Sequence, residues 1–247
     1  MRDGPSDREE VWRYLDFYQF VSILEREQVY FSALSEFSDP FEGSFPVADS
    51  IEANSGDERV KRFRERFPNC VFANCWHINN RESAAMWGQY DDRGIAIKTN
   101  VKNLRDSFVR YLKGIHFFDV KYIDYEEESM DFYHRLDAYR CKRKSYEHEQ
   151  ELRAIFIEYP PHPNTETDDM PEEYDDSFEY ITRQEPIPED QYTSGQFHDV
   201  DVTSLIQEVR INPWNDNKFI ELVKSVTENH GLDVPVTQSS LSDDPLY

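Results

Sequence analysis

Strand-like and helix-like segments follow one another along this chain without strict alternation, and this order constrains the fold more than any other feature. Apolar residues recur at helical spacing over 16–27 and in the capped segment 215–231, whereas short apolar runs at 70–76 and 94–99 are typical of strands. A doubly wound parallel sheet would need a helix after each strand. The sequence therefore predicts an α+β fold with mixed or antiparallel sheets and flanking helices around a cleft.

The 247 residues are enough for one sizeable core, and an aromatic content of 15% supplies the side chains to build it. We expect a single domain over residues 1–247. Residues 126–144 carry apolar side chains on one helical face and predict a helix. The stretch from about 160 to 196 is acidic and rich in proline, which predicts a surface insertion.

The formal net charge of -23 at pH 7 indicates an acidic, well-hydrated surface. Such a surface argues against nucleic acid as a partner, because phosphate backbones bind cationic surface. A basic run at Arg140, Lys142, Arg143 and Lys144 is typical of a solvated helix end. No apolar run approaches the roughly 18 to 20 residues of a membrane span, and the N-terminus is polar. With three cysteines, which form no even disulfide framework, these features predict a cytoplasmic protein without a membrane partner.

Charged and apolar residues alternate one by one between Glu149 and Phe156. In a strand this alternation places Glu149, Glu151 and Arg153 on one face and apolar side chains on the other. A charge buried without a partner costs several kcal/mol, so these side chains should converge on each other or on a ligand. We interpret this face either as a structural charge network that pairs with a neighbour such as Arg13, or as part of a site.

Five motifs occur in a recognisable order along the chain. They are Arg13-Tyr14 on an early strand, "FSDPFEG" at 37–43, Cys75 followed by Met86-Trp87 and Tyr90 before Gly94, Tyr146 before "EQELR" at 149–153, and "IQEVRIN" at 206–212. In this order the chain resembles a prokaryotic family called domain of unknown function 2971. It departs from the pattern of that family at Trp76-His77, Tyr146 and Asn212, where Phe-Ser, Trp and Gly are usual. The resemblance implies an architecture and a set of positions, not a reaction.

A second, weaker resemblance is to mono-ADP-ribosyltransferases, which bind NAD in a cleft between two small sheets. The order of residue types is similar: Arg13 on an early strand, then Ser32 and the segment 87–90, then Glu149-x-Glu151. The resemblance implies that Arg13 holds the pyrophosphate of NAD and that an aromatic face stacks on nicotinamide. It also implies that Glu151 stabilises an oxocarbenium-like transition state while Glu149 orients the acceptor.

Together these observations predict one cleft with a defined set of residues. Glu151 and Glu149 are its expected catalytic residues, and its expected ligand-binding residues are Arg13, Tyr14, Asp39, Glu42, Trp87, Tyr90 and Arg153. The leading hypothesis is a protein that binds a nucleotide-like or other phosphorylated ligand, with ADP-ribosyl transfer or NAD cleavage as its reaction. NAD is then a substrate, and the sequence assigns no cofactor and no metal to the cleft.

Two other functions fit the same sequence. Asp39, Glu149 and Glu151 are suited to bind Mg²⁺ in a nuclease, with Arg153 or the basic run on the phosphodiester. Alternatively, the chain is a non-catalytic interaction module whose acidic segment 160–196 contacts a partner protein.

Structural roles also account for single motifs. Asp39 fits a turn in which it caps backbone amides while Phe41 fills the core. Trp87 and Tyr90 lie three residues apart on a predicted helix, so they fit core positions as well as a stacking platform.

Overall fold

The computed structural model describes residues 4–47, 58–90, 93–108, 114–130, 136–159, 181–183, 187–243 and 245. These residues form a nine-stranded mixed sheet, a second sheet of two strands, and helices that flank them. The predicted α+β class is confirmed. None of the helices within the described residues is long and apolar enough to cross a membrane.

The elements are short and follow one another closely. The strands are β1 Glu10–Asp16, β2 Gln28–Ala33, β3 Val71–Ile78, β4 Gly94–Asn100, β5 His116–Asp119, β6 Lys121–Ile123, β7 Cys141–Arg143, β8 Glu151–Ile157, β9 Gly195–Asp199, β10 Glu208–Ile211 and β11 Val236–Gln238. The α-helices are α1 Phe17–Arg26, α2 Glu58–Arg66, α3 Ala84–Trp87, α4 Val101–Ser107, α5 Val202–Leu205 and α6 Asn217–Asn229. Short 3-10 turns cover Leu34–Glu36, Phe67–Cys70, Asp137–Arg140, Lys144–Glu149, Glu189–Gln191 and Ser240–Ser242.

The large sheet has the order β11-β10-β4-β1-β3-β2-β9, and β8 pairs with both β3 and β5. Strand β3 joins the two halves of this sheet, of which one contains β1, β4, β10 and β11 and the other contains β2 and β9. One edge of β3 pairs with β8, and the other edge is shared: β1 pairs with its end at His77 and Ile78, and β2 pairs with its beginning at Phe72 and Ala73. Between these two short pairings β1 and β2 leave residues 74–76 unpaired on this edge, so the sheet splits there.

Side chains cross the split and bind the backbone that the strands leave open. The Asn74 amide donates to the Tyr30 carbonyl at 2.8 Å from one side, and Arg13 donates from the other. The Trp76 indole N–H donates to the Asn74 side-chain oxygen at 2.6 Å, which fixes the amide in place. Buried backbone carbonyls need hydrogen-bond donors. Here side chains supply the donors that a neighbouring strand would supply in a continuous sheet, and they thereby stabilise the split.

One face of the sheet packs on α1, α4 and α6 to form the main core. Leu152 and Phe156 of β8 lie in this cluster with Phe20 of α1, Leu104 of α4 and Val223 of α6. The cap that starts α1 agrees with its sequence, because Asp16 accepts from the Gln19 backbone and the Gln19 side chain accepts from the Asp16 backbone.

The opposite face changes character along its length. Near the start of β3 it carries Val71 and Ala73, which pack with Ile155 in a second apolar cluster. Towards the split the same face carries Cys75 and His77 opposite Arg153 and Glu151. The register therefore places the charged residues of β8 at the end of this face where the two halves of the sheet diverge.

The predicted helix at 126–144 is wrong where the structure describes it. Residues 136–144 form the Asp137–Arg140 turn, then β7, which pairs in parallel with β6, and the start of the next turn. Leu136 and Tyr139 satisfy the helical spacing but pack from a 3-10 turn into the second apolar cluster. Consequently the basic run is not a solvated helix end: Lys142 is buried.

Strand β9 begins at Gly195, inside the segment predicted as a surface insertion. Residues 160–180 and 184–186, most of that insertion, lie outside the described residues. The single-domain organisation stays a prediction.

Candidate functional site

A cavity of about 190 Å³ opens on the charged face of β1, β3 and β8. His77 lies on the strand between two other lining residues, because the register places it opposite Trp12 of β1 and Glu151 of β8. The lining combines aromatic and charged side chains: Trp12, Tyr14, Phe37, Cys75, Trp76, His77, Met86, Gln89, Tyr90, Lys142, Glu149 and Glu151.

Arg153 lies beneath the cavity and is fully buried. Its Nε donates to Glu151 Oε1 at 2.6 Å and its Nη2 to Glu151 Oε2 at 3.1 Å. Its Nη1 and Nη2 donate to the two Glu42 oxygens at 2.8 and 2.9 Å, and Nη1 also donates to the Tyr139 carbonyl at 2.9 Å. A guanidinium has five N–H donors, so Arg153 is saturated by protein groups and its role is to hold two carboxylates.

Lys142 is the second cation of this network. Its Nζ lies 2.5 Å from Glu149 Oε2 and 3.4 Å from oxygens of both Glu151 and Glu42. Three carboxylates therefore share two cations, which leaves one negative charge in excess. We call Glu42, Lys142, Glu149, Glu151 and Arg153 the buried charge network.

The network keeps Glu151 ionised. Burial alone would raise the pKa of Glu151, but Arg153 and Lys142 outweigh it and lower that pKa to about 2. Burial likewise opposes the charge on Lys142, yet the neighbouring Glu151, Glu149 and Glu42 carboxylates raise its pKa above the ordinary value. At neutral pH Glu151 is a carboxylate and Lys142 is an ammonium.

The strand prediction for 149–156 is correct from Glu151 onward and wrong at Glu149. Gln150 has a φ of 40°, in the left-handed region, and it separates β8 from the Lys144–Glu149 turn. Glu149 therefore reaches the cavity from a turn rather than from the strand face. The turn is tied to β3, because Ile78 N donates to the Gln150 carbonyl at 2.8 Å. Glu151 and Arg153 do share a face, but it is buried rather than solvated.

Aromatic side chains form the wall opposite the acids. The Tyr14 hydroxyl accepts from Ser83 N at 2.9 Å, and its ring meets the Trp87 ring edge-on at 4.9 Å and stacks with Tyr90 at 6.3 Å. Burial raises the pKa of both Tyr14 and Tyr90. Tyr14 and Tyr90 line the cavity, whereas Trp87 is fully buried behind them, with its indole N–H donating to Glu82.

Arg13 does not line the cavity. It lies between Trp12 and Tyr14 on β1, so its side chain leaves the strand on the other face. Its Nη1 donates to the Cys75 carbonyl at 2.8 Å, and its guanidinium lies 5.9 Å from the Trp76 ring centroid. Burial lowers the pKa of Arg13. The cations that meet Glu149 and Glu151 are Lys142 and Arg153, so the expected pairing of these acids with Arg13 is wrong.

Asp39 lies apart from the cavity as well. Its carboxylate accepts from Phe41 N at 3.1 Å and pairs with Arg143 Nη2 at 2.8 Å. It caps the turn as expected, but Phe41 is 37% exposed and packs against Tyr125 and Arg143, so the expectation that it fills the core is wrong.

The acids proposed for a magnesium-dependent nuclease are thus held by different cations: Asp39 by Arg143, and Glu149 and Glu151 by Lys142. Among the residues that the structure describes, no group of three or more His, Cys, Asp or Glu side chains is arranged to hold a metal ion. The interaction-module hypothesis stays a prediction, because most of the acidic segment lies outside those residues.

Eight of the twelve described residues that line the cavity are missing from the predicted set, Lys142 and His77 among them. Lys142 sits in a run of basic residues, and nothing local distinguishes it from its exposed neighbour Lys144. Nothing in the sequence around His77 marks it as a site residue. Its position opposite Glu151 follows only from the pairing of β3 with β8. Cys75 also lines the cavity, but burial raises its pKa well above the ordinary value, which keeps it a thiol.

The fold and the site together define an α+β protein with a split sheet and, beside the split, an aromatic cavity over a buried network with excess negative charge. No known family profile and no curated protein sequence matches the chain. The resemblance to the family of unknown function therefore stays a prediction.

Among solved structures, the chain is similar to DarT from Thermus sp. 2.9. The complex of that protein with ADP-ribosylated ssDNA shares 7% identity at a TM-score of 0.41, over 97% of this chain and 97% of DarT. Its complex with NAD+ shares 7% identity at 0.41, over 96% and 97% of the two chains. A TM-score of this size assigns neither a reaction nor a residue role, so the site is interpreted from its own geometry.

Proposed function

We propose that the cavity binds the nicotinamide-ribose end of NAD⁺ and that the chain cleaves the bond between these two groups, as an ADP-ribosyltransferase or an NAD glycohydrolase. The observation that carries this proposal is the excess negative charge of the buried charge network beneath an aromatic wall. The weaker of the two sequence resemblances supplies NAD⁺ as the candidate among cationic ring ligands.

The charge of the network selects the part of the ligand that enters. Charges interact more strongly where protein excludes water, so a cavity with one uncompensated carboxylate attracts a cation and repels phosphate. The nicotinamide ring of NAD⁺ is a cationic aromatic ring, and it can contact both the carboxylates and the faces of Tyr14 and Tyr90. The pyrophosphate of the same ligand then lies outside the cavity.

The size of the cavity agrees with this orientation. At about 190 Å³ it is smaller than the pockets that enclose a whole ligand, which measure roughly 300 to 1,000 Å³. It fits a single ring and its adjoining atoms. The adenosine half of NAD⁺ therefore lies outside the cavity, together with the pyrophosphate.

The chemistry follows from where charge moves. When the bond between the ribose carbon and the nicotinamide nitrogen breaks, its electron pair leaves with nicotinamide, and positive charge develops on the ribose. Glu151 is ionised and held by Arg153 and Lys142, so it is a fixed negative charge that needs no reorganisation in the transition state. Glu149 is bound by Lys142 and its side chain is 20% exposed, so we assign it to the side from which the acceptor or water approaches.

The test is release of nicotinamide from NAD⁺, followed by chromatography, for the wild type and two variants. Glu151→Gln keeps the shape of the side chain and removes its charge, and we expect its rate to fall by about 10²- to 10³-fold. Glu158→Gln is the matched control, because Glu158 follows the same strand but is exposed, and it should keep the wild-type rate.

Circular dichroism and thermal unfolding of both variants separate lost chemistry from lost folding. No nicotinamide release by the wild type, or equal release by wild type and a folded Glu151→Gln, would refute the proposed function.

A further inference from the structure

His77 is a titratable cavity residue to which the proposed chemistry gives no role. It is buried, it lines the cavity, and it lies directly opposite Glu151 in the pairing of β3 with β8. Residues directly opposite in antiparallel strands have Cβ atoms about 4.5 to 5.5 Å apart. The imidazole is therefore a neighbour of the carboxylate to which the ribose is assigned.

Hydrogen bonding determines which nitrogen of this ring carries the proton. Nδ1 lies 2.6 Å from the backbone carbonyl oxygen of Glu149. A carbonyl oxygen only accepts, so Nδ1 must donate, and in the neutral ring Nε2 then holds a lone pair. The contact of Nε2 agrees with this tautomer, since the atom 3.4 Å from it is the Asn79 side-chain amide nitrogen, which is a donor.

The ring is also suited to remain neutral. Tyr14 from β1, Glu151 from β8 and His148 from the adjoining turn lie near it, and Glu149 and Lys142 line the same cavity. Burial is the largest influence and lowers the pKa of His77, outweighing the hydrogen bond to the Glu149 carbonyl, which raises it, and His148 acts in the same direction as burial.

The carboxylates are poor alternatives as proton acceptors. Glu151, with a pKa of about 2, has little affinity for a proton at neutral pH. Glu149 is engaged by Lys142. A neutral imidazole with a lone pair on Nε2 is better matched than either carboxylate to accept a proton near pH 7.

We propose that His77 is the general base of the reaction assigned above, on which this inference rests. As nicotinamide leaves with the electron pair of the bond to ribose, the nucleophile forms a new bond to the same ribose carbon. The proton of the nucleophile passes to Nε2 of His77, and the imidazolium later releases it to solvent. Glu151 then stabilises charge, and His77 moves the proton.

The substitution His77→Asn tests this division of roles. The amide nitrogen of Asn falls near the position of Nδ1, so it can still donate to the Glu149 carbonyl, but it has no counterpart to Nε2. We expect NAD⁺ affinity to be retained while the rate constant for nicotinamide release falls by about 10²- to 10⁴-fold. The acidic limb of the wild-type pH-rate profile should disappear in the variant. His116→Asn, at an exposed position on β5, is the matched control and should behave as wild type.

Two further measurements distinguish a base from a merely structural histidine. Imidazole added to His77→Ala should restore part of the rate, and ¹⁵N NMR of the wild type at pH 7.5 should show the tautomer with the proton on Nδ1. An Nε2–H tautomer, or a His77→Asn variant within threefold of the wild-type rate, would overturn the proposal while leaving Glu151 in its role. If the wild type itself releases no nicotinamide, the proposed function fails and this inference fails with it.

Discussion

Arg153→Met is the substitution that most directly tests the buried charge network. Methionine is flexible enough to fill the space but carries no charge and no donor. The change removes all five hydrogen bonds of the guanidinium to Glu42, Glu151 and the Tyr139 carbonyl. Three carboxylates then share Lys142 alone, and the excess charge of the network doubles from one negative charge to two.

The expected loss is large because both stranded carboxylates are buried, with side chains 2% and 6% exposed for Glu42 and Glu151. Removing one partner of a buried ion pair costs about 3 to 5 kcal/mol. That is about a fifth or more of the roughly 5 to 15 kcal/mol that stabilises a domain. Most of this loss of stability comes from the uncompensated charge that remains buried, and less of it from the energy of the lost contact.

The same substitution changes the acid sensitivity of the protein. The folded pKa of Glu151 is about 2, below the unfolded value of about 4.3. Its ionisation therefore contributes stability that is complete above pH 4.3 and is lost as the pH falls towards 2, about 3 kcal/mol in all. Without Arg153 the folded pKa of Glu151 rises, so this contribution shrinks.

The assay is urea unfolding followed by tryptophan fluorescence for Arg153→Met, Glu42→Gln and the double variant. The double variant returns the network to one excess negative charge, two carboxylates against one ammonium. It should be less destabilised than the sum of the single variants, by about 0.5 to 3 kcal/mol. Additive losses, or a loss below 1 kcal/mol for Arg153→Met, would refute the view that Arg153 holds buried charges.

Two further predictions concern the scaffold. Gly43 has a φ of +74°, and a Cβ there would lie 2.4 Å from the Tyr139 ring, so Gly43→Ala should lower the free energy of unfolding by at least about 1 kcal/mol; an unchanged urea midpoint contradicts this. His198 packs between Phe31 and Phe156, and burial lowers its pKa despite the opposing Asp199 carboxylate. Its neutral form therefore stabilises the fold above about pH 6.5, and stability falls below that pH by at most about 1.4 kcal/mol per pH unit. His198→Phe should flatten the stability curve between pH 7.5 and 5.5, and a curve parallel to that of wild type argues against the role of His198.

The comparison of sequence with structure separates two kinds of information. Elements with a strong local pattern, such as α1 with its Asp16 cap and α6 after Asp216, are predicted well, because their caps and spacing are local. The prediction fails at the segment around β7. Its apolar residues have helical spacing, but the pairing of Lys121 with Cys141 decides its conformation. That pairing is non-local, and no window of sequence contains it.

The candidate site shows the same division. Alternation along β8 correctly places Glu151 and Arg153 on one face, since side-chain direction in a strand depends only on the backbone period. The same alternation predicts that face for Glu149 as well, but Glu149 lies on a turn, because the left-handed conformation of Gln150 interrupts the period.

The fold class and the clustering of acids with a guanidinium can be inferred from the amino-acid sequence alone, because both follow from local periodicity and from the cost of burying a lone charge. The folded chain adds that Lys142 joins this cluster, that His77 faces Glu151, and that Arg13 bridges the split in the sheet. These facts depend on the register of β1, β3 and β8. Electrostatic interactions depend on distance in space, so the sign of the charge at the cavity is a property of the assembled strands.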